Sequence, residues 1–65
     1  MKFYDVKEIL EANGWSEVVS CGSHVSFQKV GVSNAVIVPN YGENRDIPVN
    51  VLRDLERKTG LPLRR

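Results

Sequence analysis

The spacing of hydrophobic residues changes twice along this chain of 65 residues, and the two changes constrain the fold more than any other feature. Between residues 5 and 13 hydrophobic side chains recur with the period of a helix. From Trp15 onward hydrophobic and polar residues alternate, as in strands with one buried face. After residue 48 the helical spacing returns. The pattern predicts a helix, a set of strands and a second helix.

The first helix has start and stop signals. We expect Asp5 to cap its first free N–H groups, with Glu8 reaching back as in a capping box. Tyr4 is expected to pack on Ile9 as a hydrophobic staple, and Gly14 to end the helix just after Asn13. The predicted core-facing stripe consists of Val6, Ile9 and Leu10.

Three strands are predicted between the helices. Ser16–Cys21 and His24–Val30 alternate around Gly22-Ser23, and a two-residue loop that begins with glycine fits a type II′ hairpin turn. A third strand, Ala35–Val38, follows a turn at residues 31–34 and is closed by proline. Because the connections are short, the strands should form an antiparallel meander.

The hairpin turn also fixes a register and therefore the two faces of the sheet. It pairs Cys21 with His24, Val19 with Ser26, and Val18 with Phe27. The residues predicted on the core side are Val18, Val25 and Phe27. Those predicted on the opposite side are Cys21, His24, Ser26 and Gln28.

The second helix should begin with Pro48 in its first turn, although Asn50 is an alternative cap, and should end at Gly60. Its hydrophobic stripe consists of Val51, Leu52 and Leu55, with an ion pair between Asp54 and Lys58. Only one sheet face can receive two hydrophobic helices. The expected fold is therefore α+β, helix-strand-strand-strand-helix, with both helices on one face of a three-stranded antiparallel sheet and His24 on the open face.

Composition limits the chemistry. One cysteine and one histidine cannot form an internal disulfide or supply the ligands of a structural zinc, and a free thiol fits a reducing compartment. The longest apolar run, Ala35–Val38, is too short to cross a bilayer, and no signal peptide is evident. We expect a soluble, cytoplasmic single domain over residues 1–65, without metal or other cofactor.

The net charge of +1 is modest for a nucleic-acid binder, although basic residues gather toward the carboxyl end, where Arg64 and Arg65 form a tail.

His24 is the main candidate for catalysis, because histidine is the side chain that exchanges protons near neutral pH. Cys21, directly across the hairpin, suggests a thiol and imidazole pair, but no third orienting group is evident and a structural thiol is the commoner role. A histidine on a polar surface can also lack any function.

Other candidates are weaker. Tyr41 and Trp15 could stack on bases, although aromatic residues beside glycine more often anchor a loop or fill the edge of a core. Lys29 and Arg45 could contact phosphate. Residues 43–46 lack the spacing of a metal loop and are interpreted as solvated.

Five short motifs, in order and spacing, resemble the HicA-type messenger RNA interferase toxins over nearly the whole chain. They are Asn13-Gly14-Trp15, Gly22-Ser23-His24, Val38-Pro39, Ile47-Pro48 followed by Leu52 and Leu55, and Thr59-Gly60-Leu61. The resemblance implies a fold like a reduced double-stranded-RNA-binding domain. It also implies RNA cleavage and neutralisation by a HicB-type antitoxin that covers the active site.

The family's glycine-serine-histidine motif maps onto residues 22–24, which makes His24 the implied catalytic residue. The candidate RNA-contacting residues are Gly22, Ser23, Lys29, Tyr41, Arg53 and Arg57. This chain departs from the family where a second histidine often follows the motif, since it has Val25 there. It also has Ser20-Cys21 in place of basic residues, and Asn40-Tyr41 where many members have a histidine.

Two readings without catalysis stay open. The domain could bind RNA through Lys29, Arg53 and Arg57 without cleaving it. It could instead bind a protein through the open sheet face or a free strand edge.

Overall fold

The computed structural model describes residues 1–42 and 45–63, and it confirms the predicted α+β order. Its elements are α1 (Phe3–Ala12), β1 (Trp15–Cys21), β2 (His24–Lys29), β3 (Val36–Pro39) and α2 (Val49–Thr59). The predicted loop residues Glu43 and Asn44, and the basic tail of Arg64 and Arg65, lie outside the described residues.

The three strands form an antiparallel sheet in the order β1-β2-β3. The predicted pairs of Cys21 with His24 and of Val19 with Ser26 are confirmed. The pairing of Val18 with Phe27 is wrong, because the register shifts between Glu17 and Val19 and Glu17 lies opposite Phe27. An extra residue in one strand reverses which face the following side chains occupy. The side chain of Val18 is therefore outside the core, with 48% of its surface exposed.

Gly22 is required by the hairpin turn. Its φ of +60° lies in the left-handed region, while no non-glycine residue among those described has a positive φ, so Ser23 has a negative one. This combination of signs is that of the predicted type II′ turn.

Helix α1 begins earlier than the sequence pattern suggests. Lys2, not Asp5, is the N-cap, and Asp5 is the third helical residue, whose Oδ2 accepts a hydrogen bond of 3.0 Å from the backbone N–H of Lys2. Tyr4 is inside the helix and 53% exposed, so it does not precede the cap as a staple residue would. The assignment of Asp5 as cap is wrong because its carboxylate can satisfy a free N–H from either position.

Helix α2 follows Pro48, whose carbonyl oxygen accepts hydrogen bonds from the N–H groups of Val51 and Leu52. The helix ends at Gly60 as predicted. The predicted ion pair between Asp54 and Lys58 is present, with 3.1 Å between Nζ and Oδ2.

The core lies between the helices and one face of the sheet, as expected. Its buried residues are Phe3, Val6, Leu10, Trp15, Val25, Phe27, Val36, Val38, Ile47, Leu52, Leu55 and Leu63. Leu63 joins the core because the chain turns back after α2, and its backbone N–H donates to Oε2 of Glu56 at 2.9 Å. The helical and strand patterns did not indicate this contact, since Leu63 follows both.

The amino-terminal residues are held against the segment before α2. The backbone N–H of Ile47 donates to the carbonyl oxygen of Met1 at 2.8 Å. The carboxylate of Asp46 lies 3.3 Å from Nζ of Lys2 and 3.6 Å from the amino group of Met1. The hydrogen bond and charge of Lys2, followed by the charge of the amino group, lower the pKa of Asp46 below its ordinary value of 3.8.

The shifted register can be tested with a matched pair of valines. Val38→Ala removes a fully buried side chain and should lower the free energy of unfolding by about 2 kcal/mol. Val18→Ala, also in a strand, should change it by less than about 0.5 kcal/mol. Urea unfolding measures both, and equal losses would contradict the position of the bulge.

The Asp46 contacts predict a pH-dependent contribution to stability. A carboxyl whose pKa is lowered by folding stabilises the protein above its unfolded pKa and ceases to do so as the pH falls through the folded value. Asp46→Asn should therefore lower the Tm slightly at pH 7, and the difference from wild type should shrink as the pH falls below 3.8 and through the lowered pKa of the folded state. Asp54→Asn is the control, because it removes an ion pair between two exposed side chains of a single helix. A Tm difference between Asp46→Asn and wild type that persists in acid would contradict the assignment of the effect to the charge of Asp46.

Candidate active site at the hairpin end of the sheet

His24 is the first residue of the central strand β2 and directly follows the hairpin turn. It pairs with Cys21 of β1 on one side and with Pro39 of β3 on the other. Alternation along β2 directs Val25 and Phe27 into the core, so His24 faces away from the helices and is exposed. The backbone at His24 is therefore fixed on both sides while the imidazole is open to solvent.

A loop from β3 is fastened to the same turn. The backbone N–H of Asn40 donates to the carbonyl oxygen of Ser23 at 2.6 Å, and the backbone N–H of Gly42 donates to Oδ1 of Asn40 at 3.0 Å. Tyr41, between them, is 47% exposed. The structure thus brings the loop that carries Tyr41 beside the glycine-serine-histidine motif.

The side chain of His24 has no hydrogen-bond or ion-pair partner within residues 1–42 and 45–63. Cys21 is an exposed free thiol across the hairpin, and no third group orients the two. In the same described part of the chain, no three His, Cys, Asp or Glu side chains are close enough to hold a metal ion together. The imidazole is thus available to a substrate.

The predicted basic contacts are not gathered around His24. Lys29 is at the other end of β2, about 17 Å along the strand, and its side chain lies beside Gly14. Arg53 and Arg57 are exposed, one helical turn apart on α2. Neither arginine has an ion-pair partner among the described residues. They form a separate small basic site.

Trp15 is part of the core and not a stacking platform. Only 3% of its surface is exposed, and its indole N–H has no hydrogen-bond partner among the described residues. Of the two roles considered for Trp15, the structure therefore supports filling the edge of the core.

A row of aliphatic side chains lies next to His24 on the open face. Val19 and Ile37 pair with Ser26 from the two sides, and they are 57% and 56% exposed. Ile37 was not among the predicted site residues, although its position between Val36 and Val38 was a sufficient signal. Asn40 was not predicted to hold the loop, although the Asn-x-Gly pattern is typical of a side-chain turn.

The fold and site define a small α+β domain that presents one fixed, exposed histidine on a bare sheet face. A comparison with protein families matches residues 3–61 to the model described as HicA toxin of bacterial toxin-antitoxin. The chain belongs to this HicA toxin family, and it is a toxin of the kind paired with an antitoxin. A comparison with curated proteins gave no match. No helix among the described residues is long and apolar enough to cross a membrane.

The loop beside the turn should lose order when the Asn40 side chain is removed. Asn40→Ala deletes the acceptor for the Gly42 N–H, so hydrogen exchange at this amide should accelerate roughly fivefold. Asn40→Asp keeps the acceptor and should leave the rate near that of wild type. NMR-detected exchange measures both variants, and equal rates in all three proteins would show that the side chain does not hold the loop.

Proposed function

We propose that this chain is a metal-independent RNA-cleaving toxin, an mRNA interferase, whose catalytic residue is His24. The observation that carries the proposal is that the backbone of His24 is fixed in the central strand, while its imidazole is exposed and free of partners within the described residues. A general base needs this combination, because it must be held in place and still reach the substrate.

RNA supplies its own nucleophile, so little machinery is needed. His24 accepts the proton of a ribose 2′-hydroxyl as the oxygen attacks the adjacent phosphorus. The phosphorus–5′-oxygen bond breaks, and the departing oxygen takes a proton from water. The products are a 2′,3′-cyclic phosphate and a 5′-hydroxyl. The proposed reaction requires no redox partner and no metal.

The open face suits the approach of a polyanion. The residues around His24 on this face, Cys21, Pro39, Val19, Ser26 and Ile37, include no carboxylate that would repel phosphate. Gly22 and Ser23 expose the turn itself, and Tyr41 offers an aromatic ring on which a base could stack. Arg53, Arg57 and Lys29 would contact phosphates of the RNA strand away from His24.

The antitoxin in this proposal is a HicB-type protein that covers the open face. The exposed aliphatic row of Val19 and Ile37 supports this proposal. Aliphatic side chains on a surface are well suited to burial by a protein and make few favourable contacts with RNA. Burying this row would also enclose His24. We propose that the pair functions in the cytoplasm, where mRNA is found, and that residues 1–65 act as one domain.

The proposal predicts that His24→Ala abolishes both toxicity and cleavage. RNA cleavage by the purified variant should fall by about two to four orders of magnitude, because a general base is lost. Gln28→Ala, exposed on the same face of the same strand, is the matched control and should keep its activity. Growth after induction and cleavage of labelled RNA in the presence of EDTA measure the effect, and end analysis should find 2′,3′-cyclic phosphates.

Two outcomes would contradict the proposal. If wild type and His24→Ala are equally harmless and neither cleaves RNA, no nuclease is present. If both bind RNA equally well, with affinity that falls steeply with salt and without cleavage, the chain is the non-catalytic binding module.

A further inference from the structure

A groove on the other side of the molecule is unrelated to the histidine. Helices α1 and α2 both pack on the sheet, and a depression of about 780 Å3 lies beside them. Helix α1 contributes one stripe, at the i, i+3, i+4 and i+7 positions of residues 5, 8, 9 and 12. Val49 and Leu52 line it from α2, and the remaining lining residues are Met1, Asp46 and Ile47.

The groove has an aliphatic interior. Leu52 and Ile47 are each 3% exposed and belong to the core, and Ile9 is partly buried against it. Val49 is 57% exposed, so a bound side chain would remove apolar surface from water here. A volume of this size is within the range of ligand sites.

The rim of the groove is acidic. Its carboxylates belong to Asp5, Glu8 and Asp46. Asp5 accepts the Lys2 N–H, and Asp46 is paired with Lys2 and the amino group of Met1. Glu8 is exposed and has no partner among the described residues. Although the whole chain carries a charge of +1, the three carboxylates on the rim outnumber the one cation among the lining residues, the amino group of Met1.

We propose that this groove binds an amphipathic helical segment of a partner protein whose apolar side chains are flanked by lysine or arginine. The apolar side chains enter between Ile9 and Leu52, and a flanking cation pairs with Glu8. Helix-in-groove recognition uses this arrangement of apolar anchors at helical spacing. Charge complementarity selects the occupant, because the carboxylates repel RNA and attract a basic segment. The site does not depend on the proposed role of His24.

The probe is a synthetic amphipathic helix of about 15 residues with leucine on one face and lysine on its flanks. A second peptide has glutamate in place of every lysine. Titration into the isotopically labelled full chain should shift amide signals of residues lining the groove, with an affinity that weakens as salt rises. The acidic peptide should give no such shifts.

Two charge reversals on α1 provide matched variants. Glu8→Arg should weaken binding of the basic peptide roughly fivefold or more, since an attraction becomes a repulsion. Glu11→Arg makes the same change on an exposed residue of the same helix that does not line the groove, and it should have no effect. Val49→Asp, at an exposed position, should also weaken binding. Unchanged circular dichroism spectra would show that all three variants fold.

Five results would overturn the proposal. Equal losses of peptide affinity in Glu8→Arg and Glu11→Arg would mean a non-specific charge effect. Amide shifts on the open sheet face, or no amide shifts at all, would show that the peptide does not bind in the groove. Shifts in the groove on adding an RNA oligonucleotide would identify RNA as the occupant. Concentration-dependent shifts there without peptide would identify a second copy of the chain.

Discussion

The structure depends on burial of one sheet face under two helices. A chain of 65 residues can bury only about 60% of the surface that its unfolded state exposes, so it cannot cover both faces of a sheet. Val25 and Phe27 of the central strand direct the helices to one side. The opposite face remains open as a direct consequence, and His24 lies on it because strand residues alternate.

The two sides of the molecule consequently differ in chemistry. The sheet side carries His24, the hairpin turn and exposed aliphatic residues, and the described strand residues around His24 include no carboxylate. The helix side carries an aliphatic groove with an acidic rim. Under the two proposals, this separation would allow RNA to reach one side while a basic protein segment occupies the other.

The candidate site could be predicted only in part. Its central residue and the turn followed from Gly22-Ser23 and from alternation in β2, because a two-residue turn fixes the pairing next to it. The hydrogen bond between Asn40 and Ser23 could not be predicted, since it joins loops that are distant in sequence. The distance of Lys29 from His24 followed from the predicted strand His24–Val30, because both residues lie in it and an extended chain has a fixed rise per residue.

The sequence by itself determined the order of helices and strands, the glycine at the end of each helix (Gly14 and Gly60) and the face on which His24 lies. These features depend on the local period of hydrophobic residues and on backbone conformation. Tertiary structure decided the remainder. The bulge that exposes Val18, the burial of Phe3 and the burial of Leu63 each depend on how distant groups share one core. Local patterns cannot report such competition, since the favoured arrangement depends on what the rest of the chain buries.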